Sequence, residues 1–383
     1  MPDTNYLLTP GPTPLPPQVM KALAQPIIHH RTPQFREILK EAEEGLQHIF
    51  QTKNDVFIFA SSGTGAMEAA VCNLLSAGDK AITVEGGKFG ERWTEICKSY
   101  GVETIVIAVE WGTAVDPKII EEHLKKDSSI KAVFTTLCET STGVTTDIQA
   151  LAKVIEKTPA CLVVDAISGL GAVDIKTDVW NVDVVVSGSQ KGLMLPPGLA
   201  FLSTSEKAWK LIEQSKLPKY YFDLKKAKKA LDSIDTAYTP AIGLVIALNE
   251  SMKIIRQEGL ENVFKRFATM AEVTRAAAES IGLTSLTDKS CASNAVTALN
   301  MPMGIDGAQL VKTMRDTYGV AMAGGQAHLK GKIVRIAHMG YIKETDLLVG
   351  FEILEKVLVE MGHTFQQGAS VKMIKERLCS GHK

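Results

Sequence analysis

The chain has 383 residues, 45% hydrophobic and 22% charged, with a formal net charge of −1. That composition describes a globular protein with room for one large core and a second, smaller one. The balanced charge leaves no basic footprint for nucleic acid or an anionic membrane, so a small-molecule substrate is expected. Six cysteines, Cys72, Cys97, Cys138, Cys161, Cys291 and Cys379, show neither CxxC pairing nor His partners at metal spacing, and read as reduced and mostly structural. The opening MPDTNYLLTPGPTP lacks the basic and apolar regions of a signal peptide, and the chain has no apolar run of about 18 residues, so a cytoplasmic protein is expected. The closing LCSGHK, 378–383, matches no retention or peroxisomal signal.

In chain order, the prolines of 7–17 exclude helix and central strand and predict an extended arm. His29, His30 and Arg31 precede Pro33 and a helix over 34–51; no third ligand at helical spacing joins the two histidines, and no metal is expected. Apolar strands are predicted at 56–60, 80–84, 103–109, 131–135, 161–165, 182–187 and 199–203, with helices near 64–76, 89–100, 117–126 and 147–157. This alternation predicts an α/β fold with a mainly parallel sheet covered on both faces by helices. From 205 the chain becomes charged helix, and its basic, tyrosine-containing run 216–233 reads as a solvated face. A helical run at 259–281 leads to strands near 294–299 and 332–337 and a helix near 306–317, a compact C-terminal α/β unit. The expected domains are an arm (1–20), a large cofactor-binding domain (21–240), a connecting helix (241–265) and a small C-terminal domain (266–383).

Three stretches carry chemistry. The β-branched strand of 182–198, VDVVVSGSQKGLMLPPG, ends in small polar residues, Lys191 and a Pro-Pro-Gly turn. A lysine withdrawn from water has a depressed pKa and can add to a carbonyl as a Schiff base, whereas a lysine on its own is usually a solvated loop residue. Its company decides. The strand CLVVD ends in Asp165, 26 residues before Lys191, so both can stand at the C-terminal ends of strands in one open sheet, where such sheets bind ligands. FIFASSGTGAMEAA, from Phe57, reads as strand, then Ser61 to Gly65, then helix, which makes an anion cup suited to phosphate. Lysine, acid and phosphate cup together suggest pyridoxal phosphate, whose aldehyde needs a lysine and whose ring nitrogen needs an acid. Arg335, on the strand KIVRIA, can pair bidentately with the carboxylate of an amino acid.

The ordered motifs SGTGAMEA (62–69), GGKFGERW (86–93), ETSTGV (139–144), VDAISGLG (164–171) and SGSQKGLMLPPG (187–198) resemble those of class V, fold-type I aminotransferases. The chain is most similar to the alanine:glyoxylate and serine:pyruvate branch, from about residue 7 to about residue 358. The resemblance implies a mainly parallel seven-stranded sheet flanked by helices, a smaller C-terminal α/β domain, and a homodimer with shared active sites. It implies ping-pong transamination between alanine or serine and glyoxylate or pyruvate, with Lys191 binding pyridoxal 5'-phosphate and moving the proton, and Asp165 beside the ring nitrogen.

By the same resemblance Ser62, Gly63, Thr64 and Gln190 hold the phosphate, together with Thr239 of a second subunit. The tyrosine that the family often carries three residues before that threonine is Thr236 here. Phe89 stands where the family stacks an aromatic, usually Trp, on the cofactor ring, and Trp93 offers another π face four residues on. Thr140 matches the hydroxyl on the ring oxygen, and Ser187 a residue that approaches the cofactor. Gly11, between Pro10 and Pro12, matches the substrate-lining turn, Arg335 the carboxylate anchor, and 323–326 the loop beneath the substrate; His338 reads as a packing residue.

Other readings remain open. Related cysteine desulfurases carry His at the Phe89 position and need a mobile catalytic cysteine, for which the chain has no loop motif. A phosphonate or ureidoglycine donor would be favoured by His30 and Arg31, the latter also a candidate selector of acidic substrates. Sequences like this one have been labelled small subunit of a soluble hydrogenase, a non-enzymatic part of a redox complex. The chain shows no CxxC, no cluster spacing and no GxGxxG on a strand and helix to support that role.

Overall fold

The computed structural model describes residues 6–379; residues 1–5 of the opening stretch and 380–383 of the closing tail lie outside it. All seven strands expected between 56 and 203 form one sheet, in the order Val56–Phe59, Ala200–Thr204, Val184–Gly188, Cys161–Asp165, Ile130–Thr136, Lys80–Glu85, Glu103–Ala108. Ala200–Thr204 runs antiparallel to both of its neighbours, and the other pairs are parallel. Cys161–Asp165, Val184–Gly188 and Ala200–Thr204 are buried along their whole length, as continuous apolar runs in a sheet covered on both faces must be.

Local signals set where the flanking helices begin. Pro117 occupies the first turn of Pro117–Lys126, and the Asp116 side chain accepts from Lys118 N. Ile148–Ile155 starts at Asp147, which accepts from Ala150 N. Gly63–Leu74 and Lys88–Ser99 are different: neither has a side-chain cap from its own N-cap residue, and both begin at the carboxyl edge of the sheet.

A second sheet, Thr284–Ser285, Val296–Asn300, Ile333–Ala337 and Ala323–Gly324, carries Arg335. It is reached through two long helices, Ile242–Glu258 and Leu260–Ser280. Two closing helices not anticipated in the sequence, Glu344–Glu360 and Ala369–Cys379, complete this part; Leu347, Phe351, Leu354, Val357 and Leu358 of the first are fully buried.

The N-terminal arm is extended as expected, but it is not a loose leader. Tyr6–Leu7 pairs in parallel with Val320–Ala321. Leu8 is fully buried, donating its N–H to Ala321 O at 2.8 Å and accepting from Ala337 N at 2.9 Å. Five residues on, Thr13 N donates to Gln190 O at 3.1 Å and Thr13 Oγ1 to Lys191 O at 2.9 Å. The arm therefore ties the second sheet to the loop that carries the lysine.

Among the fully buried side chains is Trp93, whose indole N–H donates to Thr135 O at 3.2 Å and whose ring lies 4.8 Å from that of Phe134. Trp93→Ala removes this wedge between the helix Lys88–Ser99 and the sheet. It is expected to cost about 3–5 kcal/mol, read as a lowered urea midpoint.

Candidate active site

The site is assembled at the carboxyl edge of the seven-stranded sheet. Asp165 ends its strand in register with Val186 of the neighbour, and the next few residues of that neighbour lead to Lys191. Ser189 shapes this second turn: its N–H and hydroxyl bind Leu199 O and Pro196 O, and its Oγ accepts from Leu199 N. A Cβ on Gly192 would come within 2.3 Å of Leu170 O, so only glycine lets the loop press down on the turn after Asp165.

Lys191 is 8% exposed, and its Nζ donates to Ser168 Oγ at 2.9 Å. Burial pulls its pKa down to about 8, against the attraction of Asp165; Arg335 and Arg92 add to the fall. Asp165 is 2% exposed and accepts from Ile167 N at 2.7 Å. Burial raises its pKa to about 7, with Glu139 adding and Lys191 and Arg92 opposing. A Cβ on Gly11, at φ +118°, would lie 2.5 Å from Lys191 Cε, so the arm's turn rests directly on the lysine side chain.

Around this pair stand most of the residues expected from the sequence. Ser62 caps Gly63–Leu74 by position only; the amides of Gly63 and Thr64 make no hydrogen bond among the described residues. Gly63 sits against Ile167, where a Cβ would meet Cδ1 at 2.6 Å. Gln190 Oε1 is buried without a partner, and a Cβ on Gly188 would lie 3.1 Å from it and 3.4 Å from Gly63 N. Ser187 is buried, its hydroxyl 3.4 Å from Ala166 O. The Phe89 ring centroid lies 5.6 Å from Lys191 Nζ. Trp93, spent in the core, is no second candidate for stacking. Arg335 is 6% exposed; its Nε donates to Gly324 O at 3.0 Å and its Nη1 to Thr140 O at 2.9 Å, leaving Nη2 without a hydrogen bond to the described residues.

Two expected residues are not brought to the lysine within this chain. Thr239 is exposed and makes no side-chain hydrogen bond among the described residues. Arg31 is engaged by Asp235 at 2.6 Å. His338 is fully buried between Asn294 O and Thr297 Oγ1, each 3.2 Å away, with its pKa lowered by burial to about 3.

The match to known proteins covers nearly the whole chain: the aminotransferase class-V family model matches residues 5–344. The chain belongs to the class V aminotransferase family. It is 42% identical to a protein named soluble hydrogenase, small subunit, from Synechococcus sp., covering 97% of each chain. It is 38% identical to an L-aspartate–glyoxylate aminotransferase of Paracoccus denitrificans, covering 98% of this chain and 96% of that one. With a serine–glyoxylate aminotransferase of Methylorubrum extorquens the identity is 37%, over 97% and 95%. Among solved structures, the ureidoglycine-glyoxylate aminotransferase of Bacillus subtilis superimposes with a TM-score of 0.93 at 29% identity, over 97% of each chain.

The protein is thus an aminotransferase of the fold-type I class, with pyridoxal phosphate as cofactor. Its own residues fit that cofactor. The free amides of Gly63 and Thr64 are donors suited to a phosphate, the Gln190 side chain, whose amide nitrogen can also donate, lies beside Gly63, and a buried acid ending one strand stands next to the loop that carries a buried amine. Among the described residues no group of three His, Cys, Asp or Glu is placed to hold a metal ion. The five described cysteines are free, and burial drives the Cys72, Cys97 and Cys138 thiols up to about 12.

Sequence reasoning passed over a buried clamp. Glu139 accepts from Phe89 N (3.1 Å), Gly90 N (2.9 Å), Ser141 N (3.2 Å) and Ser141 Oγ (2.5 Å), acting as the missing cap of the helix that carries Phe89. A Cβ on Gly87 would meet Ser141 Oγ at 2.3 Å and Glu139 Cδ at 2.5 Å. Arg92 was also passed over: it reaches Thr64 Oγ1 at 3.1 Å with its guanidinium 5.0 Å from the Phe89 centroid. Its spacing of three residues from Phe89, which puts both on one helix face, was the available signal.

An acid whose folded pKa lies above its unfolded value is charged in the unfolded chain first, so stability falls as pH rises between the two values. In the cofactor-free protein, Asp165 should therefore cost stability from about pH 4 to about pH 7, by up to about 1.4 kcal/mol per pH unit. Asp165→Asn is expected to match wild type near pH 4, to unfold at higher denaturant by pH 7.5, and to lose cofactor retention. A denaturation series across that range checks it, and a constant difference would contradict the assignment.

Proposed function

We propose that this aminotransferase moves the amino group of a small L-amino acid, serine or alanine, to a 2-oxo acid, glyoxylate or pyruvate, in a ping-pong cycle. The observation that carries the reading is Lys191 itself: a buried amine at the carboxyl edge of the sheet, with Asp165 at the end of the adjoining strand and an Arg335 Nη2 that makes no hydrogen bond to the described residues. The relatives named above support glyoxylate as acceptor, since three of the four act on it by name. Serine is the donor named for one of them, and aspartate and ureidoglycine are the competing donors.

Pyridoxal phosphate supplies an electron sink for the bond broken at the substrate α-carbon. The chain supplies placement and proton handling. Arg335 Nη2 takes the substrate carboxylate while Thr140 O and Gly324 O hold the guanidinium in plane. A lysine with a pKa near 8 is neutral in an appreciable fraction at neutral pH, so Nζ could accept the α-proton and would deliver it to the cofactor's C4′ rather than back to the α-carbon. Ser62, Gly63, Thr64 and Gln190 would hold the phosphate, Asp165 the ring nitrogen and Thr140 the ring oxygen, with Ser187 approaching the cofactor and Phe89 offering its π face to the ring. Gly11 brings the arm's turn against the substrate.

The working form is proposed as a cytoplasmic homodimer, in which the partner's Thr239 completes each phosphate site. Among the described residues no helix is long and apolar enough to cross a membrane. Support for the dimer comes from the exposed apolar side chains Met20, Ile27 and Tyr220, at 51%, 78% and 73%, and from Thr239, exposed and without a side-chain hydrogen bond among the described residues.

Protein loaded with pyridoxal phosphate is expected to absorb near about 410–430 nm, to shift toward about 330 nm with serine or alanine, and to recover with glyoxylate. Lys191→Ala should lose the visible band and slow turnover at least about a thousandfold. No band in the wild-type protein, or wild-type turnover in Lys191→Ala, would reject the reading. A tenfold or greater preference in kcat/KM for ureidoglycine or aspartate, about 1.4 kcal/mol, would move the donor assignment.

A further inference from the structure

The turn that follows Asp165 delivers more than the acid. Ile167 lies two residues on, wedged against Gly63 at the start of the phosphate-cup helix, and Ser168 is next. Ser168 is 6% exposed, and neither of its hydroxyl's hydrogen bonds goes to the turn it sits on. A serine that merely stabilised the turn would bind a nearby backbone group. Here Oγ accepts from Lys191 Nζ at 2.9 Å and donates to Thr140 Oγ1 at 3.5 Å, while Thr140 O holds Arg335 at 2.9 Å. With its proton directed at Thr140, the Ser168 oxygen keeps its lone pairs for the amine.

We propose that Ser168 is a further catalytic residue of this aminotransferase, the acceptor that holds the Lys191 amine in place while it carries the substrate α-proton. The inference rests on the transaminase reading above. In the step, the C–H bond at the α-carbon would break, its electron pair drawn into the cofactor's electron sink and its proton taken by the Nζ lone pair to make an ammonium, which would then give that proton to the cofactor's C4′. Ser168 forms and breaks no covalent bond. Its oxygen accepts one N–H throughout, which fixes the direction of the remaining lone pair. It also stabilises the ammonium in a crevice where Lys191 makes no other side-chain hydrogen bond among the described residues.

Two measurements test this. In cofactor-free protein, labelling of Lys191 with acetic anhydride from about pH 6 to about pH 10, read by peptide mass spectrometry, gives the amine's own titration. Ser168→Ala should shift that titration to lower pH, because the charged form loses its acceptor. In loaded enzyme, Ser168→Ala should lower kcat about tenfold or more while KM changes less than about threefold, and Ser168→Thr should recover most of the loss. Should Ser168→Ala lose the native circular dichroism, Ser168→Cys is read the same way, since a thiol is a weak acceptor. An unchanged titration, a kcat within about twofold of wild type, or Ser168→Thr no better than Ser168→Ala would each overturn the proposal. A wild-type protein without transamination would overturn it together with the transaminase reading, whereas normal wild-type turnover beside an unaffected Ser168→Ala overturns this inference alone.

Discussion

Two opposite charges shut away from water set the terms for the rest of the molecule. Lys191 and Asp165 attract one another, yet burial dominates both: the amine falls to about 8 and the acid rises to about 7. Each is pushed toward its neutral form because the loss of hydration exceeds the mutual attraction. A pair held so near neutrality can gain or lose a proton at little cost. It also costs the cofactor-free chain stability, so the surrounding structure has to hold the pair in place. The fully buried strands, the Ser189 closure and the glycine at 192 do that work by leaving the lysine loop little freedom.

The same logic extends to the flank of the crevice. Glu139 is a second buried acid, raised by burial, but it has four donors where Asp165 has one. Its two oxygens are saturated by the backbone that carries Phe89 and by Ser141, so it acts as a fixed strut. The contrast separates a structural carboxylate from a functional one: in one site, the acid with spare hydrogen-bonding capacity is the one left to meet a ligand.

How much of this was legible in the sequence depended on whether the signal was local. The seven strands could be read because each is a short apolar run bounded by turn residues, and Lys191 and Asp165 because both follow such runs directly. Phe89 and Trp93 were both aromatic and one helical turn apart; only the packing of Trp93 against Phe134 and Thr135 assigns it to the core. Ser168 and Glu139 were hidden for a different reason. A lone hydroxyl or carboxylate outside any periodic pattern takes its role from whatever the fold brings opposite, and for Glu139 that was a helix about fifty residues earlier. Arg335 was readable as a strand arginine, but its two carbonyl partners lie 11 and 195 residues away.

The extended arm has a consequence for how the protein comes into being. Leu8 and Thr13 are made first, but their partners are Gln190, Lys191, Ala321 and Ala337. During synthesis Thr13 waits for residues 190 and 191 and Leu8 for residues 321 and 337, and closing such long loops is entropically slow. Without the second sheet the arm would keep its contacts at Gly11 and Thr13 with the lysine loop but lose the two backbone hydrogen bonds that anchor Leu8. The seat of the arm on the amine thus depends on a distant sheet: Leu8, held by Ala321 and Ala337, fixes where Gly11 and Thr13 meet Lys191.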